Sequence, residues 1–245
     1  MVHNESTFLP IWLGFYSRFF ASEDIYVLDN DSTDGSTEAG GFVRIPVSHA
    51  SVDHTWMVRT IEAQQRELLE HYDVVLVTDV DEIVTPTPEW GTLGEYLDGF
   101  DEDFVNCFGY EILHLKDREG PYEPARPILD QRHHWFANDG YDKPALATVP
   151  MTWSPGFHER ADTAINFDPD LRLIHLHRMD YDICLERHRL REERTWNKLD
   201  LDKGWAVHNR LTSGREFERW FYEDSSFPKI PIVLERIPAS WSGLF

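Results

Sequence analysis

Two short apolar runs, each breaking into a cluster of acids, constrain this chain more than any other feature. Asp24-Ile25-Tyr26-Val27-Leu28 leads into Asp29-Asn30-Asp31, and Asp73-Val74-Val75-Leu76-Val77-Thr78 leads into Asp79-Val80-Asp81-Glu82. Apolar runs of this length, bounded by polar residues, read as buried strands. Helical patterns lie before and between them. Phe8, Trp12, Phe15, Tyr16 and Phe19 recur at helical spacing with Pro10 in the opening turns, and residues 54–72 read as a second helix. Such alternation predicts an α/β domain with a mostly parallel central sheet flanked by helices.

Further strands are expected at 42–47, 104–115, 145–152 and 171–178, with a charged amphipathic helix at 181–197. Residues 116–142 read as a loop rich in Pro and His. The main domain is expected to span 1–211. An irregular, α-rich C-terminal extension, 212–245, opens with one more helix and packs on that domain.

The 245 residues suit one such domain with a single substantial core. Against 23 basic residues stand 44 acidic ones, a formal charge of −21 that argues against nucleic acid as a partner. No apolar run reaches the roughly 18 residues of a membrane span. Cys107 and Cys184, each in an apolar setting, read as buried thiols of a reducing compartment. The expected location is therefore the cytoplasm, with peripheral attachment to the inner face of the membrane compatible. Met1-Val2-His3 reads like the closing residues of a strand whose beginning is missing.

In open α/β sheets, ligands bind outside the carboxyl ends of the strands, where both acid clusters are expected. Alternate carboxylates at Asp79 and Asp81 suit a hard divalent cation, although a lone Asp-X-Asp also fits a solvated turn. The earlier cluster supports a different chemistry. Asp29-Asn30-Asp31-Ser32-Thr33 matches the opening motif of haloacid-dehalogenase-type phosphatases, with Asp29 as nucleophile and Asp31 as general acid. That reading needs a late acidic pair after an apolar strand, and the late strand leads into His177-Arg178-Met179-Asp180 instead.

Three motifs in order carry a resemblance. Val2-His3-Asn4-Glu5, then Leu28-Asp29-Asn30-Asp31-Ser32-Thr33-Asp34-Gly35-Ser36, then Val77-Thr78-Asp79-Val80-Asp81-Glu82 resembles the family 2 glycosyltransferases of GT-A fold. The similarity is greatest to their subgroup with Asp-Asn-X-Ser-Thr-Asp-Gly and Asp-X-Asp-Glu motifs, and it covers residues 2–85. It implies a GT-A-type sheet and inverting transfer of a sugar from a nucleotide-sugar donor to a hydroxyl of a glycan or other acceptor. It also implies Mn2+ or Mg2+ bound at Asp79 and Asp81, with Asp79 beside the donor diphosphate.

Carried over residue by residue, the resemblance sets Asn4 and Glu5 beside the base and ribose. Asp29 would accept a hydrogen bond from the base, and Ser32 and Asp34 would shape the adjoining loop. Arg59 or Gln64 would reach the donor from the helix at 54–72. The third metal ligand would be a late histidine: His175 and His177 share one face of a strand, with His177 the first choice and His158 the second. Glu159 is the candidate general base, with His158 beside it in the same turn and Asp139, Asp142 and Asp162 behind it. A domain that holds nucleotide sugar or glycan without turnover is the other alternative.

Overall fold

A computed structural model of the chain describes residues 1–224 and 231–245. The first helix, α1 (Phe8–Tyr16), forms where the aromatic spacing predicts it and buries Phe8, Leu9, Phe15 and Tyr16. Its inner face holds the acid turn. The Trp12 indole donates to Thr78 Oγ1 at 2.8 Å, and the Val84 amide donates to the Tyr16 hydroxyl at 2.8 Å. Strands β1 (Tyr26–Asn30) and β2 (Val43–Val47) pair in parallel as a two-stranded sheet, which Val2 extends by a parallel bridge to Asp29. Next comes α2 (His54–Leu68), where the Asp53 side chain accepts from the Trp56 amide and caps the first turn.

The remaining strands build a second sheet: β3 (Val75–Leu76), β4 (Glu82–Pro86), β5 (Phe104–Ile112), β6 (His134–Ala137), β7 (Pro144–Ala147), β8 (Phe167–His175) and β9 (Glu235–Arg236). The helices among them are α3 (Leu93–Asp98), α4 (Tyr181–Glu192), α5 (Lys198–Lys203) and α6 (Gly214–Glu223). The pairs β3–β7, β4–β8, β5–β6, β5–β7 and β6–β9 are antiparallel, and only β5–β8 is parallel.

The expected mostly parallel, GT-A-type central sheet is therefore corrected: the main sheet is mixed and dominated by antiparallel pairs. The cause lies in the connections. Parallel neighbours need a crossover of about a dozen residues or more. Here five residues, 77–81, separate β3 from β4, and the two strands part to different partners, β7 and β8. The expected central strand at 73–78 is an edge strand with two ladder residues. The expected loop at 116–142 hides β6, a four-residue strand bounded by irregular chain.

Strands β6 and β7 lie in succession along β5, so they act as one long antiparallel partner interrupted at 138–143. That interruption carries Tyr141 and Lys143 to the site. It packs tightly on Gly109, where an added Cβ would stand 2.5 Å from Tyr141 Cβ and 2.7 Å from the Asn138 carbonyl. At the far end, Phe217, Trp220 and Phe221 of α6 pack with Leu113, Phe136 and Cys184. Both cysteines are buried and free. The part of the C-terminal extension at 225–230 lies outside the described residues. Among the described residues, no helix is long and apolar enough to cross a membrane.

Candidate functional site

One row across three strands organises the site. Glu82 of β4 stands opposite His175 of β8, and His175 pairs in register with Glu111 of β5. The fully buried Glu111 accepts from His175 Nδ1 at 2.7 Å, which points the other ring nitrogen, Nε2, at Asp81 Oδ2, 3.5 Å away. The Tyr141 ring lies against this imidazole with centroids 4.1 Å apart. Burial opposes charge on His175, but Glu111 and Asp81 outweigh it and hold its pKa up at about 10.

His177 approaches the same carboxylate oxygen through Nδ1 at 3.9 Å. Its tautomer follows from its neighbours. His188 Nδ1 lies 3.0 Å from the Leu211 carbonyl, which can only accept, so that nitrogen carries the proton. Burial pushes the His188 pKa down to about 3, leaving its Nε2 bare. His177 Nε2, 2.8 Å away, must then be the donor. Burial first, then His188 and the nearby arginines, hold the His177 pKa well below its ordinary value. Its Nδ1 lone pair therefore faces Asp81.

The ligand atoms of Asp81, His175 and His177 lie within 4.8 Å of one another. A divalent cation that displaces the His175 Nε2 proton would meet two imidazole nitrogens and a carboxylate oxygen converging on one point, a donor set suited to it. Arg187 meets the same oxygen: its Nη1 contacts Asp81 Oδ2, while Nη2 and Nε reach Glu5 Oε1 at 2.7 and 3.1 Å. Burial favours the neutral form of Asp81, but Arg187 and the two histidines hold its pKa well below the usual carboxylate range.

Beside this cluster, Lys143 pairs with Asp79 Oδ2 at 2.7 Å and with Glu82 Oε1 at 2.5 Å. The Asp79 amide donates to Glu82 Oε2 at 2.9 Å and closes the acid turn. Burial raises the Glu82 pKa, and Lys143 only partly offsets it. For Asp79 burial also works upward, but Lys143 prevails and keeps the group ionised. Asp79 is the more open of the two, with 37% of its side chain exposed against 1% for Glu82.

A cleft of about 1420 Å³ collects Asn4, Glu5, Asp79, Asp81, His158, Glu159 and His177 on its walls. Glu159 and His158 sit exposed in the turn after Gly156. The other expected site residues stand elsewhere. Asp29 is buried and saturated: Oδ1 accepts from the Ser32 amide, and Oδ2 accepts from Thr37 Oγ1 and Arg44 Nε. Ser32 Oγ accepts from the Asn4 amide, and Asp34 accepts from Ser6 and Ser36. Asn4 Oδ1 accepts from the Thr33 and Asp34 amides. These residues stitch the N-terminal segment to the turn after β1, and of them only Asn4 also lines the cleft. From α2, the cleft receives His54 and Met57 rather than Arg59 and Gln64. Arg178, next in the chain to His177, is buried between Phe136 and Trp220.

The residues that sequence reasoning missed are Glu111, His188 and the arginines on and just after α4. A weak signal existed for the last: Arg187, Arg191 and Arg194 recur at helical spacing. None existed for Glu111, whose role depends on strand register. No protein-family model matches this chain, and no curated protein sequence matches it significantly.

Proposed function

We propose that this chain is a metal-dependent glycosyltransferase, family 2-like in its motifs, that moves a sugar from a nucleotide sugar to an acceptor hydroxyl with inversion. The observation that carries the reading is the convergence of Asp81 Oδ2, His175 Nε2 and His177 Nδ1 on the floor of the cleft. The likeness rests on the three ordered motifs, not on sheet topology. The cleft exceeds the about 300–1,000 Å³ of ordinary small-molecule pockets, so it has room for two substrates.

Asp81, His175 and His177 would hold the ion, with Asp79 next to them. Imidazole donors favour manganese over magnesium. A bound divalent cation supplies charge compensation for the diphosphate that departs. Lys143 keeps Asp79 ionised and fixes its orientation. Glu159, exposed on the cleft wall, takes the proton from the acceptor hydroxyl. The phosphatase alternative fares poorly because its nucleophile, Asp29, is saturated by three donors and lies off the cleft wall.

A thermal-shift panel of nucleoside diphosphates with and without Mn2+, followed by a transfer assay with the matching nucleotide sugars, tests the proposal. Stabilisation by one nucleotide only when Mn2+ is present is expected, with transfer abolished in Asp81→Asn. No response to any nucleotide, together with hydrolysis of p-nitrophenyl phosphate, would return the phosphatase.

A further inference from the structure

The α4 wall of the cleft, which meets the acid turn where Arg187 contacts Asp81, is basic in a chain whose formal charge is −21. Arg187 and Arg191 lie one helical turn apart on α4, and Arg194 follows just past its end, at spacings of four and three residues that share one helix face. All three line the cleft, with Trp196 and Trp205 beside them. Arg187 is matched by Asp81 and Glu5, and the two that follow it are not. Glu5 is already engaged by Arg187, and Arg191 reaches it only at 3.9 Å. Among the described residues, Arg194 has no ion pair. Burial and the neighbouring Arg187 charge both lower the Arg191 pKa, and burial lowers that of Arg194. Arg191 and Arg194, half-buried and under-compensated, are the kind of donor that phosphate recognition uses, because the forked guanidinium matches phosphate oxygens.

We infer that Arg191 and Arg194, joined by Arg187, form an anion subsite for a phosphate-bearing group on the α4 wall of the cleft. It goes beyond the transfer reading and rests on that reading only for which substrate carries the phosphate. Arg187 links the subsite to the metal donors, since it occupies the Asp81 oxygen that faces both histidines. A cation taken up there competes with Arg187 for Asp81 and frees the guanidinium for the anion. Cation and anion therefore strengthen each other's binding, and by linkage the effect is reciprocal.

The test is titration calorimetry on the intact chain with Mn2+, inorganic pyrophosphate, UDP and glycerol 3-phosphate as probes, comparing wild type with Arg191→Gln/Arg194→Gln. Both positions are partly exposed, and circular dichroism checks the fold. Pyrophosphate affinity is expected to fall tenfold or more in the variant, with Mn2+ affinity measured without anion undiminished. UDP binding that needs Mn2+ and is lost in the variant assigns the phosphate to the donor. Metal-independent binding of glycerol 3-phosphate, lost in the variant, assigns it to an acceptor. Unchanged binding of all three anions in the variant overturns the subsite. If wild type transfers sugar from no nucleotide sugar yet binds pyrophosphate in an arginine-dependent way, the transferase reading fails and the subsite stands.

Discussion

The Nε2 atoms of His177 and His188 lie 2.8 Å apart in the buried layer behind Asp81. Because His188 is committed to the Leu211 carbonyl, this contact decides which nitrogen of His177 is bare. His188 lies off the cleft lining, so its effect on a cation is one of positioning His177. Partners of this kind are typically worth about 10–100-fold in metal affinity. His188→Leu, close in volume, should weaken Mn2+ binding by about that factor, read by electron paramagnetic resonance of the bound ion. A folded variant with unchanged Mn2+ affinity would sink the tautomer argument.

Glu159 stands exposed at the cleft with no hydrogen bond or ion pair to its carboxylate among the described residues. An unpaired carboxylate is free to take a proton, and loss of a general base costs about 10²–10⁴ in rate. Glu159→Gln should lower kcat by about that range and leave the donor KM little changed. Asp139 also lines the cleft, so steady-state kinetics of Asp139→Asn alongside settle the choice: a large loss there with Glu159→Gln active would move the base to Asp139.

Asp29 invites a ligand role by its motif and a structural role by its contacts. Burial works to raise its pKa, but the Ser32, Thr37 and Arg44 hydrogen bonds prevail and lower it. A carboxylate with a depressed folded pKa contributes stability above its unfolded value of about 3.8, and loses it as pH falls through the folded value. Asp29→Asn should therefore destabilise the protein at pH 7 by about 1–3 kcal/mol, with the deficit shrinking towards pH 3 in denaturant titrations. Sugar transfer at a temperature where both proteins are folded should be unaltered. A raised donor KM without loss of stability would restore the base-binding role.

That contrast shows what the sequence could convey. Helices α1 and α2 were legible because their apolar spacing is local, and the acid turn was legible because Asp79, Asp81 and Glu82 are adjacent in the chain. Strand partners were not. The alternation that predicts parallel neighbours says nothing of β4 leaving its own neighbour to pair with β8, so the sheet came out mixed. The His175 contact with Glu111 spans 64 residues and exists only through register. Arg187, Arg191 and Arg194 were visible as a helical stripe, but the direction that stripe faces depends on how α4 packs.

Lys143 is buried and holds two carboxylates, of which Glu82 is nearly inaccessible. Removing one partner of a buried pair typically costs about 3–5 kcal/mol, because it strands the other charge. Lys143→Met should destabilise by about that amount at pH 8 by chemical denaturation. The deficit should be smaller at pH 5, since the raised Glu82 pKa lets that group take up a proton once the ammonium is gone. Lys143→Met/Glu82→Gln should recover part of the loss, and a double variant no better than the single one would place the cost at Asp79 instead.

Asp142, next in the chain to Lys143, points the other way and carries a penalty of its own. Burial raises its pKa to about 6, nearby Asp139 adds to that, and the Gly109 amide, donating at 2.8 Å, offsets only part. The sign is opposite to that of Asp29. With the folded pKa above the ordinary 3.8, its contribution is fully present below that value and lost as pH rises through about 6. Above pH 6 the ionised side chain therefore costs stability, roughly 1–2 kcal/mol once its partial exposure is allowed for. Asp142→Asn keeps an oxygen that can accept from Gly109 and removes the charge. It should raise the Tm at pH 8 and leave it unchanged near pH 3.5, where both forms are neutral. A variant equally stabilised at both pH values would show that packing, not ionisation, accounts for the gain.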